Sequence, residues 1–280
     1  MKMTKKMRRN VLMLSLALGL GTMLSACSSD APADDEVTGR KGKVTLSLEP
    51  CVTFVTSTRA VDENTYKNFD DYTVSIVDNK GSNKFSGTYA TLKTRMPMEL
   101  DLGSYSITAT YGSEHAASRD AFLVKGEDSF TISGDQTTTV TVNCTPTSGK
   151  LLVVFDAAMS TYYDDYNVDF TGTEALGTSV AHWAKADTAP YYIALTQSGE
   201  TVSYTIYLTA KSDYATEVDG QKVVNATATG SFTLNRNETK KLTIRPNYTP
   251  STEGGLTIVI TIDDTTNDKP IDIEVPVTWI

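Results

Sequence analysis

A chain that works on covalent bonds needs nucleophiles, acids or metal ligands gathered in space, and these 280 residues offer few. The two histidines, His115 and His182, stand in no metal-ligand spacing, and neither lies near a cysteine that it could activate. No HExxH signature, Gly-rich phosphate loop or nucleophile elbow occurs. Adjacent carboxylates do occur, at Asp70-Asp71, Asp164-Asp165 and Asp263-Asp264. Glycoside hydrolysis needs two carboxylates flanking one bond, whereas neighbours on a strand point to opposite faces. The first two pairs also recur at equivalent points of an internal repeat, so they read as markers of where strands begin. Asp263, Asp264, Asn267 and Asp268 offer oxygens to calcium, but their spacing departs from the known loop pattern and a solvated turn is expected. The reading is of a protein that is not an enzyme and carries no metal and no cofactor.

Cys27 has a different setting. The first ten residues hold Lys2, Lys5, Lys6, Arg8 and Arg9 and no acid, and Val11 to Met23 is an apolar run too short to span a bilayer comfortably. This is the pattern of a secretory signal, residues 1–26, and not of a folded element. Leu24-Ser25-Ala26-Cys27 resembles the bacterial lipobox, in which the thiol is acylated and the chain is cut just before it. Each buried lipid CH₂ is worth about 0.8 kcal/mol, so several acyl chains on Cys27 would hold the protein to a membrane. Residues 27–41 follow with Asp30, Asp34, Asp35 and Glu36, too polar to bury a core, and predict a disordered acidic tether. That stretch also resembles the signal that carries lipoproteins of Bacteroides type to the outer face of the outer membrane. The expected address is therefore the cell surface.

The net charge is −9, and it becomes more negative once the five basic residues of the signal are removed. Such a chain is repelled by nucleic acid, and no nucleic-acid partner is expected. Two further cysteines, Cys51 and Cys144, would be free to pair in an oxidising compartment. Cys144 continues the inward phase of Val140 and Val142, which favours a buried free thiol.

The elements that position these residues are strands. Period-two alternation recurs in Val44 to Leu48, Tyr72 to Ile76, Tyr105 to Ala109, Tyr166 to Phe170 and Tyr204 to Leu208, with Thr, Ser or Asp on the polar face. Asn79-Lys80-Gly81 and Ser133-Gly134-Asp135 are turn signals between them. A repeat runs through the pattern. Ser129-Phe130-Thr131-Ile132 returns as Ser231-Phe232-Thr233-Leu234, Phe69 to Val74 as Tyr163 to Val168, and Gly42-Lys43-Val44 as Gly149-Lys150-Leu151. Gly254-Gly255-Leu256 opens a third unit that is never completed. The prediction is an all-β chain with two tandem antiparallel β-sandwich domains, 42–146 and 147–249, and a C-terminal strand hairpin at 250–280 that packs on or completes the second.

In that last segment Ile271, Ile273, Val275, Val277 and Trp279 are expected to share one face of a single strand. Pro276 cannot donate to a ladder, so the strand belongs at an edge. Its apolar face needs a groove, supplied in cis or by another molecule through strand addition. Tyr162, Tyr163, Tyr166, Trp183, Tyr191 and Tyr192 crowd the second unit. Exposed, they would form a platform for sugar rings; in a sandwich, such residues fill the core or cover its rim. Thr58-Arg59-Ala60 sits in a long polar stretch, where Arg59 is either an ordinary loop residue or a target for a trypsin-like protease. A cut there would remove the first strand and open a groove.

Taken together, the lipobox, acidic tether, Thr-Arg-Ala loop, tandem β units and amphipathic last strand resemble the fimbrillin-like lipoproteins of Bacteroides and relatives. Within that group, Phe69 to Val74, Leu100-Asp101-Leu102-Gly103-Ser104-Tyr105 and Phe170 to Gly177 look most like an uncharacterised lipoprotein family. The resemblance spans the mature chain. It implies transthyretin-like or immunoglobulin-like sandwiches and a role in fimbriae or adhesion, as pilin, anchor or tip, with other fimbrial subunits as partners. Asp187-Thr188-Ala189 resembles the O-glycosylation site of exported proteins from such bacteria, which would place a glycan on Thr188. The alternative is a surface lipoprotein that binds glycans for polysaccharide uptake.

Overall fold

Alternation of apolar and polar residues builds a first set of strands, each with one face turned to a common core. They are β1 (Lys41–Pro50), β2 (Thr73–Asp78), β3 (Asn83–Thr88), β4 (Met98–Asp101), β5 (Gly103–Gly112), β6 (Ala117–Ser118), β7 (Leu123–Ile132) and β8 (Thr137–Pro146). In β1, Val44, Leu46 and Leu48 are buried while Lys43 and Thr45 face solvent. The computed structural model describes residues 39–54, 61–134, 136–248, 256–263, 271–275 and 277–280. Cys27, residues 27–38 of the acidic tether, Arg59, Pro276, and Asp264, Asn267 and Asp268 of the turn considered for calcium lie outside them, while Lys41, expected in the tether, opens β1.

One layer of the first sandwich runs β3-β2-β5-β7 and the other runs β4-β1-β8. They enclose Val74, Ile76, Ile107, Val124, Val142 and Cys144, among others. At one corner the layers meet, where Val124 and Lys125 of β7 pair with Pro146 and Thr145 of β8. β1 is an inner strand, antiparallel to β4 and parallel to β8 over eight residue pairs.

The chain then builds the same arrangement again from β9 (Ser148–Phe155), β10 (Tyr163–Thr171), β11 (Ala181–Trp183), β12 (Tyr191–Ala194), β13 (Glu200–Ala210), a small hairpin of β14 (Thr216–Val218) and β15 (Gln221–Val223), β16 (Asn225–Leu234) and β17 (Thr239–Tyr248). One layer contains β11-β10-β13-β16 and the other β12-β9-β17, again with the first strand parallel to the last. Among the described residues helix is confined to single turns such as α1 (Tyr89–Lys93) and α2 (Met159–Tyr162). Two cores thus lie within one compact unit, Gly39–Ile280.

The repeated sequence signatures meet in space, in the same way twice. A Cβ on Gly42 would lie 2.7 Å from Ile132 Cγ2, and one on Gly149 would lie 2.4 Å from Leu234 Cγ. The glycine that begins each unit is therefore a close-approach site for the residue that ends each Ser-Phe-Thr motif. The acidic pairs differ from each other. Asp70 and Asp71 form a single 3₁₀ turn just before β2. Asp164 and Asp165 lie inside β10 at a bulge, and the bulge turns both of them outward.

The C-terminal segment pairs its first two strands as a hairpin and departs from the expectation in its last strand. It forms three strands, β18 (Leu256–Asp263), β19 (Ile271–Val275) and β20 (Thr278–Trp279). β18 pairs with β17 and β19 pairs with β18. β20 instead joins β16 in the opposite layer. Ile271, Ile273, Val275, Val277 and Trp279 do not share one continuous strand, because β19 ends at Val275 in one layer and β20, from Thr278, pairs in the other. β19 lies at the edge of its sheet, paired with β18.

Candidate functional site

The polar and aromatic residues of greatest interest converge on the seam between the two sandwiches. β6 belongs to the first unit by sequence but pairs with β12 of the second, Ala117 opposite Ile193 and Ser118 opposite Tyr192. The next residue, Arg119, lies over the rings of Trp183 and Tyr191, 4.6 and 3.9 Å from their centroids. Its guanidinium donates to Asp187 Oδ2 at 2.8 Å, to the His182 carbonyl at 3.2 Å and to the Ala189 carbonyl. Stacking and ion pairing act together here, which a planar guanidinium permits and an ammonium does not.

This arrangement overturns the sugar-stacking platform. Tyr163, Trp183 and Tyr192 are buried, with at most 1% exposure, and Arg119 covers the rings of Trp183 and Tyr191. The aromatics serve the core and its rim because strand alternation turns them inward. Tyr162 is half-buried and packs with Tyr214 and Tyr248, at centroid distances of 4.9 and 5.5 Å. Thr188 is exposed in the loop between β11 and β12, beside the Asp187 that Arg119 holds.

Deeper in the seam, Lys150 of β9 donates from Nζ to Glu63 Oε1 at 2.6 Å, and the Tyr192 hydroxyl donates to the same oxygen at 2.7 Å. Lys150 is wholly buried and Glu63 is 8% exposed. Burial first, and then the Glu63 carboxylate, push the Tyr192 phenol well above its ordinary value. Phe54 and Phe122 of the first sandwich pack on the Tyr192 ring at 5.5 and 4.7 Å. A buried ion pair with an extra donor and an aromatic wall is strongly position-specific, since removing one partner strands the other charge. Asn237, at φ +61° in the β16–β17 turn, adds a second tie. Its side chain accepts from the Thr53 N–H and donates to the Cys51 carbonyl.

Cys51 is exposed and Cys144 buried, and both are free thiols. Burial pushes the Cys144 thiol up to about 11, so it is unreactive at neutral pH. His182 faces Asp169 Oδ1 at 2.6 Å on the surface, and His115 Nε2 lies 3.2 Å from the Ser113 hydroxyl. A cleft of about 540 Å³ opens between the units, with Thr110, Lys125 and Glu127 on one wall and Ala175, Thr196 and Arg236 on the other. Two of its charged groups have partners within the protein: Lys125 pairs with Glu127 at 2.9 Å, and Arg236 donates to the carbonyls of Leu195 and Thr196. Among the described residues no cluster of His, Cys, Asp or Glu is arranged to hold a metal ion.

With this geometry in view, the family whose description reads "Domain of unknown function (DUF4493)" matches residues 40–277. The chain belongs to this family. The match covers both sandwiches and most of the C-terminal strands. A comparison with curated proteins finds no match. Solved structures similar to it include a fimbrial assembly protein from Parabacteroides distasonis (11% identity, covering 83% of this chain and 98% of that one, TM-score 0.40). Another is the fimbrial anchor protein Mfa2 from Porphyromonas gingivalis (10% identity, 80% and 98% covered, TM-score 0.38).

Sequence reasoning missed Glu63, Arg119, Lys150 as an ion-pair partner, and Asn237. Lys150 carried a signal, since it occupies a position where β9 is buried on every side. A lysine there needs a counter-charge.

Proposed function

We propose that this protein is a lipid-anchored surface subunit of structural or adhesive type, associated with fimbriae, and that it performs no catalysis. The observation that carries the reading is the way the C-terminal strands are used. β18 puts Leu256, Ile258 and Ile260 into the second core, and β19 and β20 finish opposite layers of that sandwich. A terminal segment that completes a sandwich from its side is suited to complete the sandwich of another subunit by strand addition. β1 offers a second groove only in the alternative of a cleaved subunit: it lies between β4 and β8, and a cut after Arg59 would release it together with Cys27. In this reading acyl chains on Cys27 fix the chain in the outer membrane, facing outward, and Thr188 carries an O-glycan.

Two measurements test it. Metabolic labelling with a palmitate analogue should mark the chain and fail on Cys27→Ser; an unlabelled wild-type chain would remove the anchor. Size-exclusion chromatography before and after Arg-specific proteolysis should reveal association that disappears when 271–280 are deleted. A protein that stays monomeric in both states would overturn assembly by strand addition.

A glycan-binding role keeps one specific support. Tyr162, Tyr214 and Tyr248 form a mutually packed cluster, and Tyr248 is 42% exposed. Retention on a polysaccharide affinity gel that is lost with Tyr248→Ala would favour it, and no retention on any glycan would dismiss it.

A further inference from the structure

The order in which the chain enters and leaves each sandwich has a mechanical consequence. The chain enters the first sandwich at the N-terminal end of β1 and leaves it at the C-terminal end of β8. These two strands are neighbours and parallel, paired from Lys43 opposite Thr137 to Pro50 opposite Cys144. The second sandwich is entered at β9, and its β17 runs parallel beside it, from Lys150 opposite Thr239 to Phe155 opposite Ile244. If entry and exit strands were antiparallel neighbours, both loaded ends would lie together, and tension would open their bonds one after another. Parallel neighbours put the loaded ends at opposite ends of the ladder. Tension then slides one strand along the other and loads all the evenly spaced bonds together.

We infer that the two sandwiches are load-bearing elements in series, with β1–β8 and β9–β17 as shear clamps against tension between the N-terminal anchor and the C-terminus. The inference deepens the surface-subunit reading and rests on it for its biological use. The C-terminal strands preserve the geometry. β19 is antiparallel to β18, which is antiparallel to β17, so β19 also runs parallel to β9 and its exit lies at the far end. Only the two pairs of β20, Ala226 with Trp279 and Thr227 with Thr278, lie beyond that sheet. The first clamp is backed by Leu46, Leu48, Val140 and Val142 in the core and by a side-chain bond between Ser47 Oγ and Thr141 Oγ1 at 3.0 Å. Between the clamps, Lys150 occupies the first pair of the second ladder and holds Glu63 of the first sandwich, so the seam is tied where load passes from one to the other.

Single-molecule pulling tests the idea, because forced unfolding follows the barrier along the pulling direction. The full chain is pulled through handles at its two termini. It is compared with a Cys27→Ser, Cys51→Ser chain pulled through Lys41→Cys and Thr137→Cys, two exposed residues at the same end of the β1–β8 pair. Circular dichroism first establishes that both chains are folded. Terminal pulling should unfold the protein at several times the force needed from the 41 and 137 handles, which opens the same ladder bond by bond. Equal forces, or terminal unfolding at the lower force, would overturn the clamp. Palmitate labelling separates the two claims: a strong but unlabelled chain keeps the clamp and loses the anchor, and a labelled but weak chain does the reverse.

Discussion

The two sandwiches share a strand plan but close their sides differently. The first closes with its own last two strands, because β7 and β8 come together at Val124–Pro146 and Lys125–Thr145. In the second, the corresponding strands β16 and β17 have no such pairing among the described residues. β17 is paired along its length by β18, while β16 takes β20. One sandwich draws the strands of both layers from 41–146, and the other depends on strands that arrive after its repeat has ended. The duplication therefore left an asymmetry: the second unit has a side that something else must fill.

The largest expected effect breaks that dependence directly. Truncation before Leu256 removes three fully buried side chains, Leu256, Ile258 and Ile260, and the whole β17–β18 ladder. Losing one such side chain costs about 2–5 kcal/mol, so losing three is comparable to the whole stability of an ordinary domain, before the lost ladder is counted. Hydrogen exchange should show amide protection lost across β9 to β17 and kept in β2, β5 and β7. Protection lost equally in both would mean that neither sandwich folds without the other.

The seam decides how far the two can be separated. Glu63→Gln leaves the Lys150 ammonium buried without its carboxylate and should cost about 3–5 kcal/mol, read as a lower urea midpoint. The double change Glu63→Leu with Lys150→Met removes both charges and should recover much of the loss. If the single and double variants are equally destabilised, the cluster acts through packing and not through charge.

The strand plan was legible in the sequence because each strand has one face on a core, so alternation in Val44 to Leu48 or Tyr204 to Leu208 translates directly into burial. The repeat was legible for the same reason, and Gly42 with Ile132 and Gly149 with Leu234 show that its signatures are one contact made twice. The seam was not. Glu63 and Arg119 lie in irregular segments without periodicity, and their partners are 87 and 68 residues away. The aromatic residues were visible but their exposure was not, since Arg119 from the other sandwich covers Trp183 and Tyr191. The last strand misled because alternation continues through Pro276 while the backbone changes layers.

The repeated glycine contact gives a finer comparison. A methyl group on Gly42 would meet the Gly134 carbonyl oxygen at 2.6 Å as well as Ile132, whereas one on Gly149 would meet only Leu234 side-chain atoms among its nearest neighbours. A leucine side chain can rotate and a backbone carbonyl cannot. Both Gly→Ala changes overpack and should cost about 1–3 kcal/mol, with Gly42→Ala at the upper end and Gly149→Ala at the lower. Thermal melts of the two variants would reverse this order if the second sandwich is the more rigid one.

The smallest effect is a pH dependence carried by one carboxyl of the second sandwich. Glu200 opens β13 in the second unit, where β5 of the first opens with Gly103. Burial alone would raise its carboxyl, but N–H donors from Gln197 and Glu174 and the Thr196 hydroxyl outweigh burial and hold it below its ordinary value. A carboxyl depressed in the folded state contributes stability that is fully present above its unfolded pKa and is lost as pH falls through the folded value. Acid should therefore weaken the second sandwich in the range just below the ordinary carboxylate pKa. In Glu200→Gln, which cannot titrate, this part of the pH dependence should be missing from melts recorded between neutral and acid pH. An unchanged acid profile in that variant would assign the sensitivity to other carboxylates, and the comparison between the sandwiches would then rest on their sides alone.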